Sequence, residues 1–218
     1  MFTGIIQAVG EIAAMEPNGG DLRLRIRTGK LPLEQVALGD SIATSGVCLT
    51  VIDLPGDGFW ADVSCETLKL TTLGDRGVGD RVNLEKSLTP QSALGGHIVS
   101  GHVDGVGEIH RIHTEGRSWR YWVRAPRELA RYIAHKGSIT VDGTSLTVNA
   151  VDGCDFDLNI IPQTFEETVF SDYREGSRVN LEVDLIARYL ERLLQGGAAA
   201  EPSAQGLWAE LKEGSSDA

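Results

Sequence analysis

The sequence predicts an all-β protein built from two copies of one small antiparallel barrel or sandwich, and three observations carry that prediction. Shifted by 97 positions the chain overlays itself, so that GDSIATSGVCLTV from Gly39 lies on KGSITVDGTSLTV from Lys136, with Gly46 on Gly143. Short runs rich in branched and aromatic residues alternate apolar with polar, the period of a strand with one face buried. Gly, Asp, Asn or Pro separates these runs at the spacing of hairpins.

The elements follow in order. The shift places Gly4 on Gly101 and Val9-Gly10-Glu11-Ile12 on Val106-Gly107-Glu108-Ile109. In DLRLRIR, Leu22, Leu24 and Ile26 face one way and Arg23, Arg25 and Arg27 the other; SWRYWVR repeats this with Trp119, Tyr121 and Val123 inward. SIATSGVCLTVI, FWADVS, RVNLEK and FDLNII read as further strands, and Arg81 to Glu85 match Arg178 to Glu182. Helical signal is confined to a turn or two around Leu33 to Ala37 and Glu128 to Ala134, and to DLIARYLERLLQ. There Leu185, Ile186, Tyr189, Leu190, Leu193 and Leu194 recur at helical spacing before Gly196-Gly197. Such a helix either self-associates or packs across its own barrel. The organisation is therefore a barrel over residues 1–97, a second over 98–184, a helix over 185–196 and a tail over 197–218 that is expected to be mobile. Two copies of one domain imply two equivalent sites for one kind of ligand.

Composition narrows the function. At 218 residues the chain accommodates two small domains. Its 20 basic against 31 acidic residues, net −11, argue against nucleic acid and anionic membrane as partners. Cys48, Cys65 and Cys154 are too few and scattered for a disulfide framework or a zinc site, which fits reduced thiols in a cytoplasm. A basic segment followed by an apolar run is missing from the N-terminus, and no apolar stretch reaches membrane-spanning length.

Positions where the copies differ in polarity say more than positions where they agree, because agreement serves the fold alone. Cys48 meets Ser145, Ser45 meets Asp142, Ile5 meets His102 and Ser87 meets Asp184. The fold accepts an apolar residue where His102 sits, so His102 reads either as a hydrogen-bonded structural histidine or as a functional one. His97 and His102 on a strand would face opposite ways, which argues against a shared metal; His110 and His113 read as a wet loop. Cys48, between Val47 and Leu49, is either a small core residue or a thiol lining a cleft. Gly105-Val106-Gly107 lacks the third glycine of a dinucleotide loop, and no phosphate loop or nucleophile elbow is present.

MFTGIIQ at the start, GVCLTV, ETLKLTTLG, GGHIVSGHVDGVG, DGTSLTV, NIIPQT and VNLEVD together resemble the riboflavin synthase α-chain family over about residues 1–195. The resemblance implies two six-stranded Greek-key barrels, a C-terminal helix that trimerises the chain, and a site between the first barrel of one subunit and the second of the next. It implies dismutation of two 6,7-dimethyl-8-ribityllumazine molecules to riboflavin and 5-amino-6-(ribitylamino)uracil, with no metal or redox cofactor, and admits association with lumazine synthase. Carried over by motif, His102 moves the methyl proton, and Ser41, Cys48 or water held by them adds at the acceptor C7. Asp142, Thr147 and Asp184 fix the rings and water, and Phe2 closes the cleft. The first barrel would contribute Gly4, Ile5 and Ile6; Cys48, Leu49 and Thr50; and Asp62, Val63, Ser64, Cys65, Glu66 and Thr67. The second would contribute Gly101, His102 and Val103; Ser145, Leu146 and Thr147; and Asn159, Ile160, Ile161, Pro162, Gln163 and Thr164. Lys136 would reach in from the adjoining subunit. Ser45 and Gln163 depart from the usual family residues. The competing expectation is a non-catalytic lumazine or flavin carrier of the same fold.

Overall fold

The computed structural model describes residues 1–196; the tail expected over 197–218 lies outside them. The first repeat contains β1 (Ala8–Asn18), β2 (Asp21–Arg27), β3 (Ser41–Thr44), β4 (Val47–Thr50), β5 (Gly58–Val63) and β6 (Arg81–Lys86), with the short helix α1 (Cys65–Leu70) before β6. The second contains β7 (Gly105–Glu115), β8 (Ser118–Arg124), β9 (Ser138–Val141), β10 (Thr144–Asp152), β11 (Asp155–Ile160) and β12 (Arg178–Val183), with α2 (Pro162–Glu167) in the corresponding place. All pairings between strands are antiparallel. The first sheet runs β4-β3-β6-β1-β2-β5, and the second has the same order and closes on itself through β10 and β11.

The alternation read from DLRLRIR and SWRYWVR holds: Leu24, Ile26, Tyr121 and Val123 are buried. Each repeat has its own apolar core, centred on Leu24, Ile26 and Phe59 in the first and on Val123, Phe156 and Leu181 in the second. The closed barrel depends on nine-residue β10, whose ladder with β11 runs to the pair Asp152 and Asp155. In the first repeat β4 ends at Thr50, and the matching edge ends at a bridge between Asp53 and Trp60. Pro55 stands where Asp152 would donate the next backbone hydrogen bond, and proline has no N–H to give.

Three expectations about local structure change. Leu33 to Ala37 forms only a turn, with the Val36 N–H donating to the Leu33 carbonyl, and Glu128 to Ala134 yields a single 3-10 turn at Ala130–Tyr132. His110 and His113 lie within β7 rather than in a loop, and the segment 97–102 is irregular apart from a bridge at Val99. The helices α1 and α2 were invisible to periodicity, because six residues make under two turns. Helix α3 (Leu185–Leu194) forms as read, and Ile186, Tyr189, Leu190, Leu193 and Leu194 are exposed.

The repeats meet where two hairpins approach. Ser45 and Asp142, both at φ 44°, and Gly46 and Gly143, at 82° and 78°, give the left-handed two-residue turns that suit a twisted hairpin. A Cβ on Gly46 would lie 2.7 Å from the Gly143 nitrogen, and one on Gly143 2.8 Å from the Gly46 nitrogen, so the backbones touch. Around this contact Asn83 Nδ2 donates to the Asp142 carbonyl at 2.9 Å and Asn180 Nδ2 to the Ser45 carbonyl at 2.8 Å. Their Oδ1 atoms accept the N–H groups of Val169 and Thr72. The 97-residue repeat is thus a local twofold in space.

Candidate functional site

Each repeat begins with a segment that leans on the other repeat. Phe2 pairs with Val99 through two backbone hydrogen bonds of 2.7 and 3.1 Å. Beyond that pair, the buried Glu85 carboxylate accepts from the Thr3 N–H and hydroxyl and the Gly4 N–H; Glu182 does the same for Ser100 and Gly101. Burial raises the pKa of both carboxyl groups, against the pull of those donors. So fixed, the Gly4 carbonyl accepts the Ser145 N–H at 2.7 Å, and the Gly101 carbonyl accepts the Cys48 N–H at 2.8 Å. No Cβ fits at either glycine: it would lie 2.5 Å from Ser145 Cβ or 2.8 Å from Cys48 Cβ.

This exchange regroups the residues proposed from sequence. Gly4, Ile5 and Ile6 line a cleft of about 240 Å³ with Thr144, Ser145, Gln163, Thr164, Glu167 and Thr168. They therefore belong with the second repeat's strand β10 and helix α2, not with Cys48. Correspondingly, Gly101 rests on Cys48 and Val103 packs against the first core, which brings His102 beside the first repeat's β4. Ile5 and Ser145, from opposite repeats, therefore meet at the cleft of about 240 Å³, and Gly101, which precedes His102, holds the corresponding place on Cys48.

Strand alternation sorts the remaining residues. Along β4, Cys48 is half-buried and Thr50 exposed, while Leu49 points into the core; along β10, Ser145 and Thr147 face outward, with Leu146 packed on the core. Val63 and Ile160 are core residues, whereas Ile161 is exposed and Asn159 and Pro162 are half-buried. Asp62 is exposed and paired with Arg23, at 2.9 Å from Nε, which lowers its pKa. Ser64 caps α1, accepting the Thr67 N–H; Cys65 and Glu66 are exposed on its first turn. Ser41, half-buried at the start of β3, pairs across from Thr50. His102 is exposed. Lys136, also exposed, is at φ 65° where its repeat mate is Gly39.

Two placements differ from the roles expected. Phe2 is fully buried with Ala43, Val99 and Cys48, so its ring is part of the packing under the first cleft rather than a lid over it. Asp142 is also fully buried: Oδ1 accepts the Asn180 N–H at 2.7 Å, Tyr173 donates to Oδ2, and Arg76 lies 3.5 Å away. Its carboxyl belongs to the contact between repeats, not to the cleft face. Burial raises its pKa to about 6, partly offset by Arg76.

His97, weighed from the sequence with His102 as a metal ligand but given no role at the site, lies against Ser145. Its Nδ1 lies 2.7 Å from Ser145 Oγ, and its N–H donates to the Thr3 carbonyl. Burial lowers its pKa, with the Asp184 charge opposing, which favours the neutral ring. The shift assigns it no mate, because 97 positions back lies before Met1. A Cβ on the preceding Gly96 would lie 2.1 Å from the Thr3 oxygen, so the backbone here runs hard against the leading segment.

A larger hollow of about 660 Å³ lies elsewhere, lined by Arg81, Asp172, Arg178 and Asp75. Two of its arginines are engaged in reciprocal ion pairs between repeats, Arg81 with Asp172 at 2.6 Å and Arg178 with Asp75. The described residues contain no group of three or more His, Cys, Asp and Glu arranged to hold a metal ion, and no helix long and apolar enough to cross a membrane.

Comparison with known proteins agrees with this geometry. The lumazine binding domain profile matches the chain twice, at residues 3–87 and 100–184. Riboflavin synthase of Photobacterium phosphoreum is 50% identical over 194 residues, covering 89% of each chain. That of Brucella abortus is 46% identical over 200 residues, 89% of this chain and 98% of the relative, and that of Bacillus subtilis is 44% identical over 194, covering 89% and 90%. Crystal structures of LumP with 6,7-dimethyl-8-(1'-D-ribityl) lumazine and with riboflavin superimpose with TM-scores of 0.76 and 0.78 at 27% and 28% identity. Each covers 84% of this chain and 99% of LumP. With a duplicated fold, exchanged leading segments and this extent of identity, the chain belongs to the riboflavin synthase family, with the lumazine binding domain present twice.

Proposed function

We propose that this chain performs the riboflavin synthase reaction, in which two 6,7-dimethyl-8-ribityllumazine molecules exchange a four-carbon unit to give riboflavin and 5-amino-6-(ribitylamino)uracil. The observation that carries this reading is the exchange of leading segments. It makes the same backbone contact twice and surrounds it differently, with Cys48 against Gly101, next to His102, in one place and Ser145 against Gly4, next to Ile5 and bonded to His97, in the other. Two identical substrates need like pockets, and a donor and an acceptor need unlike chemistry. The two substrates contain all the atoms of the two products, so the transfer needs no co-reactant.

In this reading His102, exposed beside Cys48, carries the 7-methyl proton, which is acidic because the lumazine ring is electron-poor. Ser41, Cys48, or water between them adds at C7 of the acceptor, and Thr147, Asp184 and the first turns of α1 and α2 hold the heterocycles and ribityl chains. Holding two rings face to face removes much of the cost of their encounter, which is worth roughly 7 to 11 kcal/mol. A homotrimer, in which the first cleft of one subunit faces the second cleft of the next, would make that juxtaposition. The exposed apolar face of α3 supports such an assembly. Lys136 supports it too: a lysine at a left-handed position costs about 1 to 2 kcal/mol more than the glycine of its mate, a cost consistent with a side chain needed across a subunit boundary. The three unpaired cysteines suit a cytoplasmic setting, where association with lumazine synthase would be met.

The test is to mix the purified chain with 6,7-dimethyl-8-ribityllumazine and follow riboflavin by absorbance beside a His102→Ala variant. Riboflavin formed at half the rate of lumazine loss, and slowed about 10²- to 10⁴-fold in the variant, is the expected result. Binding of lumazine without turnover would leave the carrier reading, which the LumP complexes exemplify.

A further inference from the structure

The helix α2 carries Gln163 and Thr164 into the second cleft, and its attachment differs from that of α1 at matched positions. The ring of Phe165 lies on that of Trp119, centroids 3.8 Å apart and planes within 7°. Trp119 sits on β8 directly across from Ile160, two residues before the helix begins. In the first repeat the same places hold Leu22, across from Val63, and Leu68 on α1. The far end of α2 is tied to the first repeat by the ion pair of Glu167 with Lys30; the mate of Glu167 is Leu70, which is exposed. Conversely, α1 has a side-chain cap in Ser64, and α2 has none.

Leucine satisfies the fold at both first-repeat positions, each packed on its core. A flat stacked pair therefore does something bulk alone does not. Stacking restricts rotation and sliding of one ring on the other, whereas two leucines accommodate a range of helix tilts. We infer that Trp119 is a positioning residue for the second cleft: through Phe165 it holds α2 so that Gln163 and Thr164 meet the ligand already placed. This rests on the lumazine-binding reading above and assigns to one aromatic pair part of the difference between the two clefts.

The experiment titrates the full-length chain with 6,7-dimethyl-8-ribityllumazine by calorimetry, comparing Trp119→Leu, Trp119→Phe and Phe165→Leu. Trp119→Leu and Phe165→Leu are expected to weaken one of the two ligand equivalents about two- to tenfold and leave the other unchanged; Trp119→Phe, which keeps a ring to stack, retains the parent affinity. Combined with Gln163→Ala, Trp119→Leu should cost less than the sum of the two single losses, because both act through one contact. Parent affinity in Trp119→Leu, equal loss in Trp119→Phe, or strict additivity with Gln163→Ala overturns the inference, as does failure of both leucine variants to fold. A parent chain that binds no lumazine overturns the functional reading instead.

Discussion

The first repeat closes its sheet with a single bridge at Asp53 and Trp60, and the second with a four-pair ladder that carries a bulge between Val148 and Ala150, yet the two share strand order, turn geometry and the glycines at their contact. What they share is what the interface requires of both. Where they part, at Cys48 and Ser145, Ile5 and His102, Gly39 and Lys136, or Leu22 and Trp119, the shared fold does not dictate the residue. Under the proposed function, that difference is how one repeated plan would serve a donor and an acceptor with no change in topology.

The shared contact is the place to break both halves together. Gly46→Ala and Gly143→Ala each place a methyl group against the opposite backbone at a left-handed φ. Crowding and the left-handed penalty together predict a loss of about 2 to 5 kcal/mol for either variant, of similar size, measured by chemical denaturation. Loss at only one of the two would show that the repeats do not depend equally on this contact.

Matched buried carboxylates sharpen the comparison further, because their structural task is the same and their functional task is not. Glu85→Gln and Glu182→Gln each oppose an amide NH₂ to donors that a carboxylate accepted, at about 1 to 3 kcal/mol in stability. Glu182→Gln loosens Gly101 and His102 against Cys48 and should lower turnover; Glu85→Gln loosens Gly4 to Ile6 against Ser145 and should act first on binding. Parallel losses in kcat and KM for the two variants would count against unlike clefts.

How far the sequence could be read follows from these contrasts. Period-two alternation exposed β2, β8 and their mates, because each has one face on a core. The repeat exposed the duplication, and mismatched mates pointed to Cys48 and His102. It could not show that leading segments cross to the other repeat: hydrogen bonds such as those of Ser145 to Gly4 join residues far apart in sequence with no pattern to mark them. His97 stands out beside His102, but without a mate to compare, the repeat assigns it no place at a cleft. Asp142, given its role by the family resemblance, and its mate Ser45 each accept a neighbouring strand's N–H, from Asn180 and Asn83, at the same hairpin, a placement that no polarity mismatch could announce.

That mismatch gives a pH test that separates the repeats. Burial raises the Asp142 pKa from its ordinary 3.8 to about 6, so the folded state holds this proton more tightly than the unfolded one. Its contribution is therefore fully present below about pH 4 and lost as pH rises through about 6. Asp142→Asn should flatten that part of the stability profile by removing the titration, while Ser45→Asn, at the mate that carries no charge, should leave the profile's shape alone. Thermal melts from pH 4 to 7 would read it, and an unchanged slope in Asp142→Asn would assign the titration elsewhere.

The smallest expected effect concerns the edge that distinguishes the two sheets. In the first repeat the Ile52 N–H donates to the Trp60 carbonyl and the Trp60 N–H to the Asp53 carbonyl, and the next partner on the ladder is Pro55, which has no N–H. In the second repeat the ladder goes on to Asp152 and Asp155. Local opening at an edge needs fewer bonds broken when the ladder ends sooner, so the Ile52 and Trp60 amides should exchange with deuterium faster than those of their mates Asn149 and Asp157. Replacing Pro55 with Asp supplies the missing donor. Its net stabilisation should not exceed about 1 kcal/mol, since the hydrogen bond gained offsets the greater freedom of the unfolded chain. The gain should nonetheless slow exchange at Ile52 and Trp60 specifically. Equal exchange at the two edges in the parent chain would mean that Asp53 and Trp60 close the first barrel as firmly as nine-residue β10 closes the second.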